Sequence, residues 1–121
     1  MGLDSYFLKK EAGKAIPLND DPRIAGVDLC GGLFSGHGTD WSFRGKVYDA
    51  FLRQVAPGFT LYVEEQGPEA YGHIPAAIDA WLERHPNVEE FDGGVSRQEA
   101  ADLKILFEAA RDQNALLAGW W

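Results

Sequence analysis

The chain has 121 residues, a length that suits one folded domain, and 45% of them are hydrophobic, as in ordinary soluble globular proteins. It carries 19 acidic residues against 11 lysines and arginines, which gives a formal net charge of −8. This charge disfavours a nucleic-acid partner, because a phosphate backbone would be repelled. It suits a cation-binding protein and a merely soluble protein equally well.

The single cysteine, Cys30, excludes an internal disulfide framework and favours a reducing compartment. The first residues lack the apolar core of a signal peptide, and no apolar run is long enough to span a bilayer. We therefore expect a cytoplasmic protein with no membrane partner. A zinc site built from Cys30, His37 and His73 is disfavoured, because their spacing matches no compact zinc pattern.

The first part of the chain predicts a mixture of strands and one helix. Leu3 to Leu8 alternates weakly and predicts a strand, residues 9–26 resemble a loop, and Val27 to Phe34 predicts a second strand. Ser42 to Ala56 carries an apolar stripe at helical spacing and predicts a helix. Phe59 to Glu65 alternates and is rich in aromatic and β-branched residues, so it is the strongest strand prediction in the chain.

The second part predicts two helices joined by a loop. Ile74 to Arg84 has proline at its second position, which suits a helix start, and a long helix is predicted from Ser96 to Ala118. The fold class is therefore α+β: one compact domain over residues 1–121, with a small antiparallel or mixed sheet and about three helices. Trp120 and Trp121 follow the last predicted helix, and we expect them to pack on the domain or on a partner.

The loop between the last two helices matches much of an EF-hand calcium loop. Such a loop has twelve residues, with a glycine at the sixth place for the sharp turn. Placing Gly93 there puts oxygen ligands at the third, fifth, seventh, ninth and twelfth places, from Glu90, Asp92, the Gly94 carbonyl, Ser96 and Glu99. The match fails at the first place, where Val88 stands and an aspartate is wanted.

The same residues also have an interpretation without a metal. Asp92-Gly93-Gly94 is a good turn sequence. Ser96 and Glu99 form a capping box, in which both side chains bond to free backbone N–H groups at a helix start. The two interpretations of this loop stay open at the level of sequence.

A second oxygen-rich loop, Ser35 to Asp40, precedes the first predicted helix. Calcium prefers flexible loops of this kind, and Glu64 and Glu65 at the end of a predicted strand are candidates to complete a site with Asp40. The alternative is that Asp40 or Ser42 caps the helix and that the two glutamates are solvated.

The order of these elements resembles a known family. The segments MGLDSYF, SGHGTDWSFRGKVYDAF and FTLYVEE in a small acidic chain, together with the degenerate EF-hand loop, resemble the small calcium-binding proteins associated with heterocyst differentiation in filamentous cyanobacteria. The opening is also similar to uncharacterised phage and bacterial proteins, which imply no function.

The cyanobacterial resemblance implies a cytoplasmic calcium buffer or sensor without catalytic activity. By analogy, the Ca²⁺ ligands would be the matched loop positions, with the Asp40 loop and Glu64 or Glu65 as a second site. The missing charged ligand at Val88 implies weak binding, in the range of about 10⁻⁵ to 10⁻³ M.

Two classes of function therefore remain in view. The first is calcium binding through the loops described above. The second is a non-catalytic protein-interaction module that uses the acidic surface together with Trp120 and Trp121. An enzyme is not expected, because the histidines and carboxylates match no triad, zincin or phosphate-loop pattern.

Overall fold

The computed structural model describes residues 3–16, 18, 21–29 and 41–121. The strands in the described residues are β1 (Asp4–Glu11), β2 (Lys14–Ile16), β3 (Phe43–Arg44), β4 (Glu65–Gln66), β5 (Glu90–Phe91), β6 (Val95–Ser96) and β7 (Leu116–Trp120). The helices are α1 (Gly45–Val55), α2 (Pro68–Tyr71), α3 (Ile74–Arg84) and α4 (Arg97–Asp112), and short 3₁₀ turns cover Pro22–Gly26 and Asp92–Gly94. The antiparallel pairing of these strands confirms the predicted α+β class. Among the described residues, no helix is long and apolar enough to cross a membrane.

Strand β1 is the centre of the main sheet. One of its edges pairs along five residues with β7, and the other pairs with β3 near its start and with β2 near its end. Strand β4 adds an outer edge to β7. Because directly opposed residues share a face, Phe7 and its partner Leu117 point into the core, whereas Tyr6 and Trp120 lie on the outer face.

Aromatic side chains fill the core between the inner face of the sheet and the helices. Phe7 meets Phe107 of α4 edge-on at 5.3 Å between ring centroids and Tyr71 of α2 at 5.4 Å. The Tyr71 hydroxyl donates to the Ala115 carbonyl at 2.7 Å, which satisfies its polar end inside the core. Burial raises the pKa of Tyr71 well above its usual value, so this hydroxyl stays protonated as a donor.

Two of the three predicted helices have nearly the predicted bounds. Helix α3 spans Ile74–Arg84 as predicted, with its proline in the first turn, where no backbone N–H is needed. Helix α1 begins at Gly45 rather than at Ser42, because Phe43 and Arg44 pair with β1.

The prediction of a helix through Ala118 is wrong. Helix α4 ends at Asp112, and Asn114 then adopts a left-handed conformation with φ of 56°. The Ala115 N–H donates to the Ala110 carbonyl at 3.0 Å and the Asn114 N–H to the Arg111 carbonyl at 2.9 Å, the hydrogen bonds of a Schellman helix stop. The chain then turns into β7.

The prediction of a strand over Phe59 to Glu65 is also wrong, since only Glu65 belongs to a strand, β4. The buried carboxylate of Asp49 on α1 accepts the Leu61 backbone N–H at 2.7 Å and the Thr60 hydroxyl at 3.1 Å. The Thr60 hydroxyl in turn accepts the Tyr62 N–H at 3.1 Å. These backbone donors bond to side chains and are not available for a strand ladder.

Two further predictions in the first part of the chain are corrected. Residues 9–26 are not all loop, because β1 continues to Glu11 and forms a hairpin with β2, with positive φ at Ala12 and Gly13. The predicted strand over Val27 to Phe34 is absent at residues 27–29, the part of it that the structure describes.

Candidate functional site

The predicted calcium loop forms a small hairpin between α3 and α4. Strands β5 and β6 place Glu90 opposite Ser96 and Phe91 opposite Val95. Gly93 and Gly94 make the reversal, with φ of 79° and 77°, in a region that glycine enters without steric cost. The apolar pair anchors the hairpin, because Val95 is buried and the Phe91 ring lies 5.4 Å from the ring of Phe51 on α1.

Ser96 and Glu99 form the capping box of α4. The Ser96 hydroxyl accepts the Glu99 N–H at 3.0 Å, and Glu99 Oε1 accepts the Ser96 N–H at 3.1 Å. The Tyr48 hydroxyl of α1 donates to Glu99 Oε2 at 2.5 Å. Burial would raise the pKa of Glu99, but the hydrogen bonds from Tyr48 and Ser96 together lower it. Both Glu99 oxygens and the Ser96 hydroxyl therefore already have protein partners.

Arg97 occupies the entry of the same loop. Its guanidinium donates to the carbonyls of Leu82 at 3.0 Å, His85 at 2.7 Å and Val88 at 3.1 Å. It thereby satisfies carbonyls at the C-terminal end of α3, where cations are favoured. The Val88 carbonyl, the one oxygen that this residue could offer at the first place of a calcium loop, accepts a hydrogen bond from a positive group.

The remaining predicted loop ligands, Glu90, Asp92 and Gly94, are residues exposed to solvent. Within residues 3–16, 18, 21–29 and 41–121, no three His, Cys, Asp or Glu side chains lie together in a way that could hold a metal ion. The expected helix–loop–helix is present in outline, while the arrangement of its side chains is that of a turn followed by a capped helix.

The second predicted site depends on Asp40, which lies outside the described residues. Its two proposed companions differ in their surroundings. Glu65 on β4 forms an ion pair with Lys10 of β1 at 2.6 Å. Glu64 precedes β4 and lines a cleft on the outer face of the main sheet.

This cleft is a concave feature of the described part of the outer sheet face, and several aromatic residues line it. It measures about 460 Å³ and is lined by Tyr6, Glu64, Gly119, Trp120 and Trp121. Trp120 is 74% exposed and Trp121 50% exposed. Tyr62, which is 40% exposed, meets the Trp121 ring edge-on at 5.7 Å. We call Tyr6, Tyr62, Glu64, Trp120 and Trp121 the aromatic cleft.

A close backbone approach at Gly119 assembles the aromatic cleft. A Cβ atom at this position would lie 2.8 Å from the Val63 carbonyl oxygen and 2.9 Å from that of Leu61. The Gly119 N–H also donates to the Glu64 carbonyl at 3.4 Å. Because glycine has no side chain here, the segment carrying Tyr62 and Glu64 lies directly against β7, beside the two tryptophans.

Charged residues of both signs surround the aromatic cleft, but the one that lines it is negative. Glu64 has the one carboxylate side chain among the lining residues. Asp4 is directly opposite Trp120 in the sheet, and Arg44 is opposite Asp4 on its other side. Lys10, on the same sheet face, is paired with Glu65.

The tryptophans were expected to pack on the domain or on a partner. Trp121 contacts Tyr62 of the domain, whereas Trp120 is largely exposed, and for Trp120 packing on a partner stays a prediction. Tyr6 and Tyr62 were not predicted as site residues, because a helix drawn through Ala118 separates the tryptophans from β1. Asn114 followed by the apolar run of β7 is the sequence signal that would have located them.

Comparison of the chain with protein-family models, with curated proteins and with solved structures gave no match.

Proposed function

We propose that the protein is a non-catalytic binding module that holds a positively charged segment of a partner protein on the aromatic cleft. The observation that carries the proposal is the grouping of exposed rings. Among the described residues, four large hydrophobic side chains are exposed, and three of them, Tyr62, Trp120 and Trp121, belong to this one surface. Contiguous exposed aromatic residues are typical of interaction surfaces.

Charge selects the kind of partner. The chain has a formal net charge of −8, and Glu64 lines the cleft. A second copy of the chain would bring the same negative charge, so self-association through this face is disfavoured, whereas a basic segment is attracted. The single cysteine, Cys30, supports a reducing compartment such as the cytoplasm as the place where the module acts.

The test is a titration of the full chain with a short peptide of alternating lysine and glycine, followed by tryptophan fluorescence. We expect saturable quenching that weakens as salt is raised, because exposed charges are screened. Replacing both Trp120 and Trp121 by alanine should remove the binding, which calorimetry measures for this variant because the substitutions also remove the fluorescent rings of the cleft. Val88→Ala is the matched control, since Val88 is the one exposed large hydrophobic residue outside the cleft in the part of the chain that the structure describes.

Two outcomes would refute this proposal. One is equal binding of the lysine peptide by the double tryptophan variant and by the Val88→Ala control. The other is equal binding of a glutamate–glycine peptide of the same length by the unaltered protein, which would remove the role of charge.

Calcium binding by the hairpin loop is a second candidate function. The observation that favours it is Gly93, which has the left-handed conformation expected at the sixth place of a calcium loop, with Glu90 and Asp92 exposed beside it. The ion would have to replace the hydrogen bonds of Glu99 with Tyr48 and Ser96. We therefore propose weak calcium binding, with a dissociation constant of about 10⁻⁵ to 10⁻³ M.

Calorimetric titration of chelator-treated protein with calcium, and with magnesium in parallel, tests this second candidate. We expect saturable heat with calcium that is lost in Glu99→Gln and kept in Glu83→Gln, a control on the exposed side of α3. An unchanged calcium affinity in Glu99→Gln would assign any site to another part of the chain. Absence of heat at millimolar calcium would reject the calcium function.

A further inference from the structure

We propose that the aromatic cleft recognises an N-methylated ammonium group, such as the side chain of a methylated lysine. This inference rests on the proposed function, because it names the group that the cleft would select within a basic partner segment. It differs from that function in a testable way: a module that binds positive charge in general would not distinguish a methylated lysine from an unmodified one.

Most of the side chains that line the cleft are aromatic. Tyr6, Trp120 and Trp121 line the cleft, and Tyr62 stands against Trp121 with ring centroids 5.7 Å apart. The face of an aromatic ring attracts a cation within about 6 Å of its centre, and tryptophan does so most strongly. Several rings around one opening are the arrangement with which proteins bind quaternary ammonium groups.

The side chains that line the cleft offer few hydrogen-bond acceptors. Glu64 has the one carboxylate side chain among the lining residues, and the Tyr6 hydroxyl is the other side-chain oxygen. An unmodified ammonium has three N–H donors and a guanidinium has five, and donors that lose water without finding a partner are costly. A trimethylammonium group has full charge and no donor, so rings and one carboxylate can satisfy it.

The charged side chains in and near the cleft favour a bound cation. Glu64 places a negative charge on the wall, while Lys10, on the same sheet face, is paired with Glu65 at 2.6 Å. Arg44 lies two strands away from Trp120, with Asp4 between them in register. With strands about 4.8 Å apart, this is a backbone separation of roughly 10 Å. The one charged side chain among the lining residues is that of Glu64, so the wall itself carries negative charge.

The volume of the cleft and its exposure to solvent suit a single ligand side chain. The cleft measures about 460 Å³, within the range of about 300 to 1,000 Å³ typical of small-ligand sites. Trp120 is exposed on the outer face of the sheet, and Trp121, directly after β7, is half exposed, so a side chain projecting from a peptide can enter without displacing any element of the fold.

The experiment compares peptides that differ only in one central side chain, by titration of the full chain with fluorescence or calorimetric detection. The three side chains are lysine, trimethyllysine and the uncharged tert-butyl analogue of trimethyllysine. We expect trimethyllysine to bind about tenfold more tightly than either of the others. The uncharged analogue lacks the cation–π attraction, and lysine has three N–H donors that would lose water without finding enough partners.

Variants locate the binding within the cleft. Trp120→Ala and Glu64→Gln should each weaken trimethyllysine binding, whereas Glu83→Gln on α3 should not. Trp120→Phe keeps a ring and should retain part of the affinity, so a folding defect of the alanine variant is separated from loss of the aromatic wall. Tetramethylammonium ion tests a free cation: an affinity equal to that of the peptide would assign a free quaternary ammonium compound as ligand, and a much weaker affinity would assign a protein side chain.

The outcomes separate this inference from the function on which it rests. Equal binding of the lysine and trimethyllysine peptides would overturn the inference and leave a general cation-binding module. Equal binding of trimethyllysine and its uncharged analogue would overturn it in favour of an apolar site. Absence of binding by all three peptides would overturn both.

Discussion

The Tyr48 hydroxyl lies 2.5 Å from Glu99 Oε2 and joins helix α1 to the start of α4. The other oxygen of the same carboxylate caps the helix through Ser96. One side chain thereby links the packing of two helices to the end of the hairpin loop. This arrangement explains why a sequence pattern typical of a calcium loop also produces a stable helix start without an ion.

Ser96→Ala should lower the free energy of unfolding by about 1 kcal/mol, within the range of about 0.5 to 2 kcal/mol for lost N-caps. The reason is that the Glu99 N–H, which the Ser96 hydroxyl accepts at 3.0 Å, would lose its partner. Chemical denaturation measures the change. Ser96→Asp is the control, because aspartate also caps helices, and equal losses in the two variants would argue against the cap.

The Glu99 carboxylate should make stability depend on pH in the acid range. Its pKa is lowered in the folded protein, since the hydrogen bonds from Tyr48 and Ser96 outweigh the effect of burial. A lowered pKa means that the stabilisation is complete above the unfolded-state pKa of about 4.3 and is lost as the pH falls through the folded-state value. Denaturation midpoints measured across this range should decline less steeply for Glu99→Gln.

Asp21 contributes to the same acid dependence and must be kept constant in that comparison. Its pKa is lowered to about 2, mainly by the hydrogen bond from Arg23. Both the unaltered protein and Glu99→Gln keep this pair, so the difference between their pH profiles reports on Glu99. Profiles of identical slope would contradict the predicted role of Glu99.

Gly119→Ala should destabilise the protein by about 1 to 3 kcal/mol, the usual cost of forcing atoms into a packed site. The added Cβ would meet two backbone carbonyls, at 2.8 and 2.9 Å, and backbone cannot move aside as a flexible side chain can. Thermal unfolding gives the measurement. Gly26→Ala is the matched control, because a Cβ at that position would have no neighbour within 4 Å; a similar loss in both variants would show that the close approach is not the cause.

Asp49→Ala should destabilise the protein by about 1 to 3 kcal/mol, the penalty for a buried donor left without a partner. The Leu61 N–H and the Thr60 hydroxyl would lose their acceptor, and Arg53 would lose its ion pair at 3.0 Å. Hydrogen exchange at Leu61 should accelerate. Asp79→Ala removes an exposed ion pair with Lys104 and should change stability by less than about 0.5 kcal/mol.

Local chemistry was enough to predict several parts of this fold. The helix over Ile74–Arg84 was predicted from its apolar spacing and its early proline, and the strand at Leu3 to Leu8 from its alternation. The capping box at Ser96 and Glu99 was also recognised, although the same residues fitted a calcium loop. Since helix caps and oxygen ligands draw on the same side chains, sequence alone could not choose between the two.

The aromatic cleft could not be predicted in the same way. It brings together Tyr6 from β1, the Tyr62–Glu64 segment and the tryptophans of β7, which are distant in sequence. Their meeting depends on the helix stop at Asn114, on the absence of a side chain at Gly119 and on the hydrogen bonds of Asp49. The last two act between segments that only the tertiary structure brings into contact.

The sequence by itself determined the acidic character of the protein, the α+β class, the start of α4 and most of α3, because these follow from composition and from interactions within a few residues. Only the tertiary structure decided that Phe59 to Glu64 is held as a loop, that the chain returns as β7 beside β1, and that Glu99 bonds to Tyr48. Those outcomes depend on long-range pairing and burial, whose free energies exceed the weak local preferences of the residues involved.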